Sequence, residues 1–253
     1  MTRIVAVTNQ KGGVGKTTTA INLAACLAEA GVRALLVDLD PQANASAGLG
    51  VRGAEPAQST YGVLAGDTSV GAVAVPTAVP GLDLVPACAD LAGAVAELVN
   101  VDDGDFALAQ ALAGQLDRYQ FVFIDCPPSL GVLTVNALVA AREVLIPVQA
   151  EYFALEGLAQ LLETVALVRQ RLNPDLRILG VLVTMLDGRT RIAREVTADV
   201  REHLAAHVFD VAVPRNVRLA EAPSYGLPIS RYDAGCAGSD AYFDLAKEVV
   251  SRG

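Results

Sequence analysis

The stretch TNQKGGVGKTTTAINLA near the start of the chain concentrates the residue types that hold a phosphate. Gly12, Gly13 and Gly15 let the backbone turn its N–H groups inward, toward an anion. Lys16 supplies an ammonium and Thr17 a hydroxyl. The run beyond them reads as a helix, whose first N–H groups lack internal partners and carry the positive end of its dipole. In that arrangement Lys16 reaches the β- and γ-phosphates of a nucleotide, and the Thr17 hydroxyl holds Mg²⁺. The usual G-x-x-x-x-G-K-[ST] spacing is broken at one place, where Gln10 stands for the leading glycine and Lys11 follows it. The loop therefore carries a second ammonium beside one phosphate site.

Further along, aspartates end apolar runs. Asp125 closes FVFID, an arrangement that delivers one carboxylate to the shell of a divalent cation. Asp40 follows LLVDLDPQ beside the expected γ-phosphate. There it would face the cation and orient or deprotonate an attacking water. Asp38 is placed for the outer shell of the metal. Taken alone, each carboxylate after a strand reads equally as a helix cap. With the loop they form a metal–phosphate constellation, in which Lys11, Lys16, Asp40 and Asp125 are the catalytic candidates and Thr17, Asp40 and Asp125 the metal ligands. Pro127-Pro128 stiffens the turn after Asp125, and Gly131 permits a switch movement.

These groups need elements to aim them. β-Branched runs at 3–8, 33–38, 82–87, 121–125, 143–148, 177–185 and 208–213 read as strands, apolar enough to be covered on both faces. Between them lie helical patterns at 16–30, 90–99, 105–117, 131–141, 154–172, 190–206 and 239–251. Gly31 is a natural stop for the first helix, and Asn173-Pro174 ends the fifth. The alternation predicts the α/β class: one doubly wound, mostly parallel sheet flanked by helices, a single domain over 1–253. Residues 50–81, rich in Gly, Ala, Ser and Pro, give no clear element.

The 253 residues are 53% hydrophobic, ample for a core. No signal-peptide pattern opens the chain, and no apolar run approaches the roughly 18 residues of a membrane span, so a soluble, cytoplasmic protein is expected. Cys26, Cys88, Cys126 and Cys236 are scattered without a C-x-x-C pair and read as buried thiols. A net charge of −9 argues against a chain coated in nucleic acid. Of 19 basic residues 16 are arginine, yet two of the three lysines sit in the phosphate loop, where a compact ammonium on a flexible stem suits the task.

KGGVGKTT, followed by VDLDPQAN, DCPPSLG, PVQAEYFALEG, TMLDGRT, PRNVRLAEAPSYG and DLAKEVV, closely resembles the ParA/Soj partition ATPases, of the deviant Walker A group that includes MinD. The likeness spans almost the whole chain and is weakest over 50–80. It implies an ATP and Mg²⁺ site built on Lys11, Gly12, Gly13, Val14, Gly15, Lys16, Thr17 and Thr18. It implies that Lys11 reaches across an ATP-dependent homodimer to the partner's phosphates, as an arginine finger does. By the same resemblance Pro214, Asn216 and Met185 contact adenine, and Glu151 contacts ribose across the dimer. On the residues alone, PRN reads equally as a turn feeding a helix, and Met185 as core. Arg189 and Arg218 match DNA-contacting arginines, and residues 177–231 hold eight arginines against six acids, in an otherwise acidic chain. After RYD the family's short basic stretch is replaced by AGCAGS, which shifts weight to Arg191, Arg194 and Arg231.

The implied function is ATP-driven partition of chromosome origins or plasmids: non-specific binding of double-stranded DNA, stimulation by a ParB-type partner, a place on the nucleoid, and no membrane. A MinD-like membrane-positioning ATPase is the alternative, and FDLAKEVVSRG is too poor in basic residues for it. A cluster-bridged redox ATPase would use Cys126, but DCPPS resembles partition proteins.

Overall fold

The computed structural model describes residues 2–151, 154–204 and 207–252. The chain begins β1 (Arg3–Val7), α1 (Lys16–Glu29), β2 (Ala34–Asp38) and α2 (Asn44–Gly48). Then come α3 (Thr60–Leu64), α4 (Val70–Val73), β3 (Val75–Pro76), β4 (Leu82–Val85), α5 (Leu91–Val99) and α6 (Ala107–Leu112). The third part is β5 (Phe121–Asp125), α7 (Val132–Ala140), β6 (Glu143–Gln149), α8 (Ala154–Arg171) and β7 (Arg177–Thr184). It closes with α9 (Arg191–Leu204), α10 (Val217–Glu221), α11 (Ile229–Tyr232) and α12 (Ala237–Ser251).

The strands form one seven-stranded sheet, ordered β3-β4-β2-β5-β1-β6-β7. All pairings are parallel except β3 with β4. Side chains of β1, β2 and β5 alternate between the faces, as a pleated strand requires. Ala6, Leu35, Val37, Val122 and Ile124 join the core under α5–α8. Val5, Val7, Leu36, Phe121 and Phe123 join the one under α1 and α12. Truncating a fully buried member such as Leu23 or Leu35 to alanine costs about 2–5 kcal/mol. Helix α1 stops where Gly31 turns to φ +86°. The Gly31 N–H meets the Ala28 carbonyl and the Val32 N–H the Leu27 carbonyl, the Schellman pattern.

The run 208–213 is not a strand. It lies beside β7 with a single bridge, Val181 to Val208, and bonds from the Phe209 N–H to Val181 O and the Val213 N–H to Val183 O. Between them the N–H groups of Asp210 and Val211 donate to the Glu248 carboxylate of α12. A side chain thus takes the amides that would continue a ladder. The stretch 50–81 folds as α3 and α4, with Ser59 and Ser69 as N-caps, plus the short antiparallel β3. The expected helix over 105–117 shrinks to α6 behind a 3-10 turn at Gly104–Phe106, because Gly114 takes a left-handed φ of +70°.

Because β1, β2, β5, β6 and β7 run the same way, the loops leaving their C-terminal ends gather on one edge of the sheet, where α/β folds bind ligands. Those loops carry the phosphate loop, Asp40, the turn after Asp125, Glu151 and Met185.

Candidate nucleotide site

Gly13 and Gly15 adopt φ +74° and +87°, conformations that turn the phosphate loop and that L side chains rarely take. Gly15 is the N-cap of α1 and contributes no side-chain hydrogen bond, so the helix's first N–H groups face the cleft uncapped. Val14 is buried, its carbonyl accepting from the Thr184 hydroxyl of β7 at 2.8 Å. The Asn9 amide accepts from the Lys11 N–H and donates to Pro147 O, pinning the loop to β6.

Gly12, Gly13, Gly15, Lys16, Thr17, Thr18, Asp40 and Met185 line one cleft of about 460 Å³. Lys16 folds back to donate to the Lys11 carbonyl at 3.1 Å. Burial lowers its pKa while Asp125, Cys126 and Asp40 support its charge. Asp125 lies at the end of β5, fully buried, opposite Asp38 in the sheet register. Burial and the Asp38 carboxylate push Asp125 well above the ordinary carboxylate range, against the pull of the nearby Thr17 hydroxyl and Lys16. Neither carboxylate oxygen of Asp125 has a partner at hydrogen-bond geometry among the described residues. A buried carboxylate left this way is costly until a cation or donor arrives. The oxygen donors Thr17, Asp40 and Asp125 fit Mg²⁺, which takes one or two carboxylates and leaves its other positions to water and phosphate. No group of three His, Cys, Asp or Glu among the described residues is arranged to hold an ion unaided.

Asp38, expected in the outer shell of the metal, also steadies the neighbouring loop. It accepts from the Ser46 N–H and hydroxyl at 2.8 and 2.7 Å and from the Asp40 N–H at 3.2 Å, which fixes the loop bearing Asp40. One Asp40 oxygen accepts from the Gln42 N–H at 2.9 Å. Asn44, Asn22 and Pro223 also line the cleft and were not singled out in the sequence; only the fold brings them there.

Met185, Pro214 and Asn216 line a second cleft of about 450 Å³, which meets the first at Gly15, Thr18 and Met185. Met185 holds φ +51°, a left-handed backbone for a non-glycine residue. Asn216 is the N-cap of α10, its Oδ1 accepting from the Arg218 N–H, so PRN does feed a helix. Glu151 lines neither cleft. It accepts from Lys11 Nζ at 3.0 Å and from Gln149, on the surface beside the loop. Arg189 and Arg218 sit on segments joined by a bridge from Leu186 to Pro214. Arg189 forms a bidentate pair with Asp187, and Arg218 pairs with Glu221 and Asp233. Arg191 pairs with Glu195 and Arg231 with Glu29, whereas the Arg194 side chain lies outside the described residues. Cys26, Cys88 and Cys126 are buried and Cys236 half-buried. The Cys126 thiol points at the Ile124 carbonyl, and burial raises its pKa.

A protein-family profile described as an AAA domain matches residues 2–178. The chromosome-partitioning ATPase Soj of Thermus thermophilus is 54% identical over 250 residues, covering 99% of this chain and 96% of that one. The chromosome partitioning protein ParA of Caulobacter vibrioides is 52% identical over 252 residues, covering 99% and 94%. Among solved structures, cobyrinic acid a,c-diamide synthase from Mycobacterium smegmatis, with bound ATP analog and magnesium, superimposes with a TM-score of 0.86. It is 41% identical and covers 98% of this chain and 93% of its own. On the matched profile and the two relatives matched over nearly their whole length, the chain belongs to the ParA/Soj family of chromosome-partitioning ATPases.

Proposed function

We propose that this partition ATPase hydrolyses ATP with Mg²⁺ as an ATP-dependent homodimer, binds double-stranded DNA without sequence preference, and is stimulated by a ParB-type partner. Its place is the cytoplasm, on the nucleoid. One observation carries the nucleotide reading: Asp125, buried with both oxygens unpartnered, beside Lys16 and Thr17 beneath an uncapped helix N-terminus. Lys16 and the loop N–H groups bind the phosphates, Thr17, Asp125 and Asp40 hold the cation, and Met185, Pro214 and Asn216 bound the adenine. Mg²⁺, once bound, neutralises the charge that develops on the phosphates. Asp40, fixed through Asp38, orients the attacking water.

Lys11 supports the dimer reading through where it is held. In the single chain its ammonium pairs with Glu151, with side chains 36% and 52% exposed. Exposed pairs contribute about 0–1 kcal/mol, so the pair opens readily for a phosphate on a second copy. Glu151 is then released beside the interface, where a ribose contact across the dimer belongs. The MinD-like alternative needs a basic helix free to meet lipid. Helix α12 instead buries Tyr242, Leu245 and Val249 in the core, and pairs Lys247 with Asp244. No helix among the described residues is long and apolar enough to cross a membrane.

The two loop lysines separate the parts of this proposal. Lys16→Ala should lose nucleotide binding itself, because the phosphate ligand in the same subunit is gone. Lys11→Ala should bind nucleotide yet stay monomeric with ATP. Equilibrium nucleotide binding and light scattering read the two effects, and a Lys11→Ala protein that dimerises normally with ATP would remove its role across the dimer.

A further inference from the structure

Residues 53–117 hold nine aspartates and glutamates and no lysine, arginine or histidine. The whole chain has a net charge of −9, so this segment carries the entire excess. It folds as one region of the surface, α3–α6 with β3 and β4, remote in sequence from the phosphate loop. Within it lies a groove of about 550 Å³, floored by Val63, Leu64 and Leu98 and edged by Glu97, Asp102 and Asp103. A second hollow of about 370 Å³ continues around the same loop, sharing Leu98, Val101, Asp103 and Gly104. Seven large apolar side chains are exposed among the described residues, and Val95, Val99 and Val101 are three of them, at 38%, 69% and 61%. Among the described residues no ion pair or side-chain hydrogen bond engages Asp102, Asp103 or Asp105.

Acidic side chains alone would be a solvated face. Here they border a groove that keeps Val101 in water, with Val99 exposed in the adjoining hollow, and the two features together fit one kind of occupant. Apolar residues on one side of a helix fill the groove, and lysines or arginines along its flanks meet the free carboxylates. We infer that the groove between α3, α5 and α6 docks a basic, amphipathic segment of a partner protein. The inference stands whether or not the chain binds DNA, because none of these residues belongs to the nucleotide site or to the candidate DNA arginines. The seat is also wired to the site. The Asn136 amide of α7 accepts from the Leu108 N–H at 3.0 Å and donates to the Gly104 carbonyl at 2.9 Å. Val132, the first residue of α7, lines the second hollow and directly follows the turn after Asp125. An occupant that extends from the groove into the second hollow thus reaches the helix that follows the turn after Asp125 without entering the nucleotide cleft.

The test uses the full chain and a fluorescent amphipathic helix of leucine and lysine, about 18 residues long, with a twin in which every lysine is glutamate. Fluorescence anisotropy should show the lysine peptide binding and the glutamate twin failing to bind. The variant Asp102→Asn/Asp103→Asn/Val101→Ser should weaken binding by about tenfold or more. Asparagine keeps the left-handed backbone of Asp103, at φ +62°. Glu55→Gln/Asp117→Asn, which removes the same charge away from the groove, should stay within about twofold of the parent. Should the triple variant not fold, Val101→Ser alone, at its exposed position in the groove, carries the same prediction with a smaller loss. Equal weakening in the groove and control variants would mean diffuse charge and would overturn the docking site, as would no binding by the parent protein. Self-association that rises with concentration and vanishes in the groove variant would assign the groove to a second copy and equally overturn it.

Discussion

The side chains with the clearest tasks are those whose spacing alone constrains them. Lys16, Thr17 and the glycines lie within one loop, so their gathering around one cleft could be read from the order of residues. Asp38 has a further task that spacing does not show, because its three hydrogen-bond donors come from Asp40 and Ser46, and the fold of that loop decides where they point. Asp40 gains definition from this. With one oxygen on the Gln42 N–H, the other remains for water, and the Asp38 cradle survives its removal. Asp40→Ala should therefore bind ATP and dimerise but turn over about 10²–10⁴-fold more slowly, since positioned acid–base help is worth that much. A single-turnover measurement at parental speed would remove Asp40 from the reaction. Arg189 offers a test by pH. Its guanidinium and backbone N–H hold Asp187 down at about 2, below the ordinary 3.8. The pairing is thus complete above the ordinary value and lost as pH falls through about 2. Arg189→Ala should raise the Asp187 midpoint toward 3.8 in a carboxyl-carbon NMR titration, and an unmoved midpoint would mean that the pair does not form in solution.

Elements were legible where hydrophobicity was continuous over a strand flanked by helices. β1, β2, β5, β6 and β7 fall where their apolar runs predict, and their shared direction is what collects the site. The run VFDVAV looked the same and is not a strand, because α12 supplies Glu248 to the amides of Asp210 and Val211. A pattern of apolar residues carries no sign of an acceptor about forty positions away in the chain. Glu248 also pairs with Arg252, which stacks over Phe209, so one carboxylate fastens 208–213 and the end of α12 together. Glu248→Ala should destabilise the fold by about 1–3 kcal/mol, the usual cost of stranded donors. The loss should appear first as faster hydrogen exchange at Asp210 and Val211. Exchange there at the parental rate would show that water replaces the carboxylate without cost. The short helices of 50–81 were opaque for another reason. Four- and five-residue helices owe their existence to packing and to single serine caps, which composition does not reveal.

At the scale of the whole molecule the charge is unevenly spread, and that governs how DNA can be held. The acidic segment 53–117 repels a phosphate backbone, so an acidic protein must bind DNA through a local patch presented away from it. The candidate patch comprises Arg189 and Arg218, on adjoining segments at the C-terminal edge of the sheet. Both arginines are exposed, and both are neutralised by carboxylates of their own chain: Asp187 for the first, Glu221 and Asp233 for the second. On the proposed function a DNA phosphate would have to displace those partners, so a single chain should bind poorly and a dimer, with twice the contacts, better. With two contacts from each subunit, about four phosphates are neutralised, and log affinity should fall against log salt with a slope near −3.6. Replacing either arginine by alanine removes one contact per subunit, and the slope should flatten by about half. ATP-dependent dimerisation should persist in both variants, because neither arginine lines the nucleotide clefts. The measurement is a salt titration of binding to unrelated duplexes, in ATP and in ADP. Tighter binding in ATP with the flattened slope would place DNA on these arginines. Equal affinity in the two nucleotides, or an unchanged slope in both variants, would take DNA off this face of the protein.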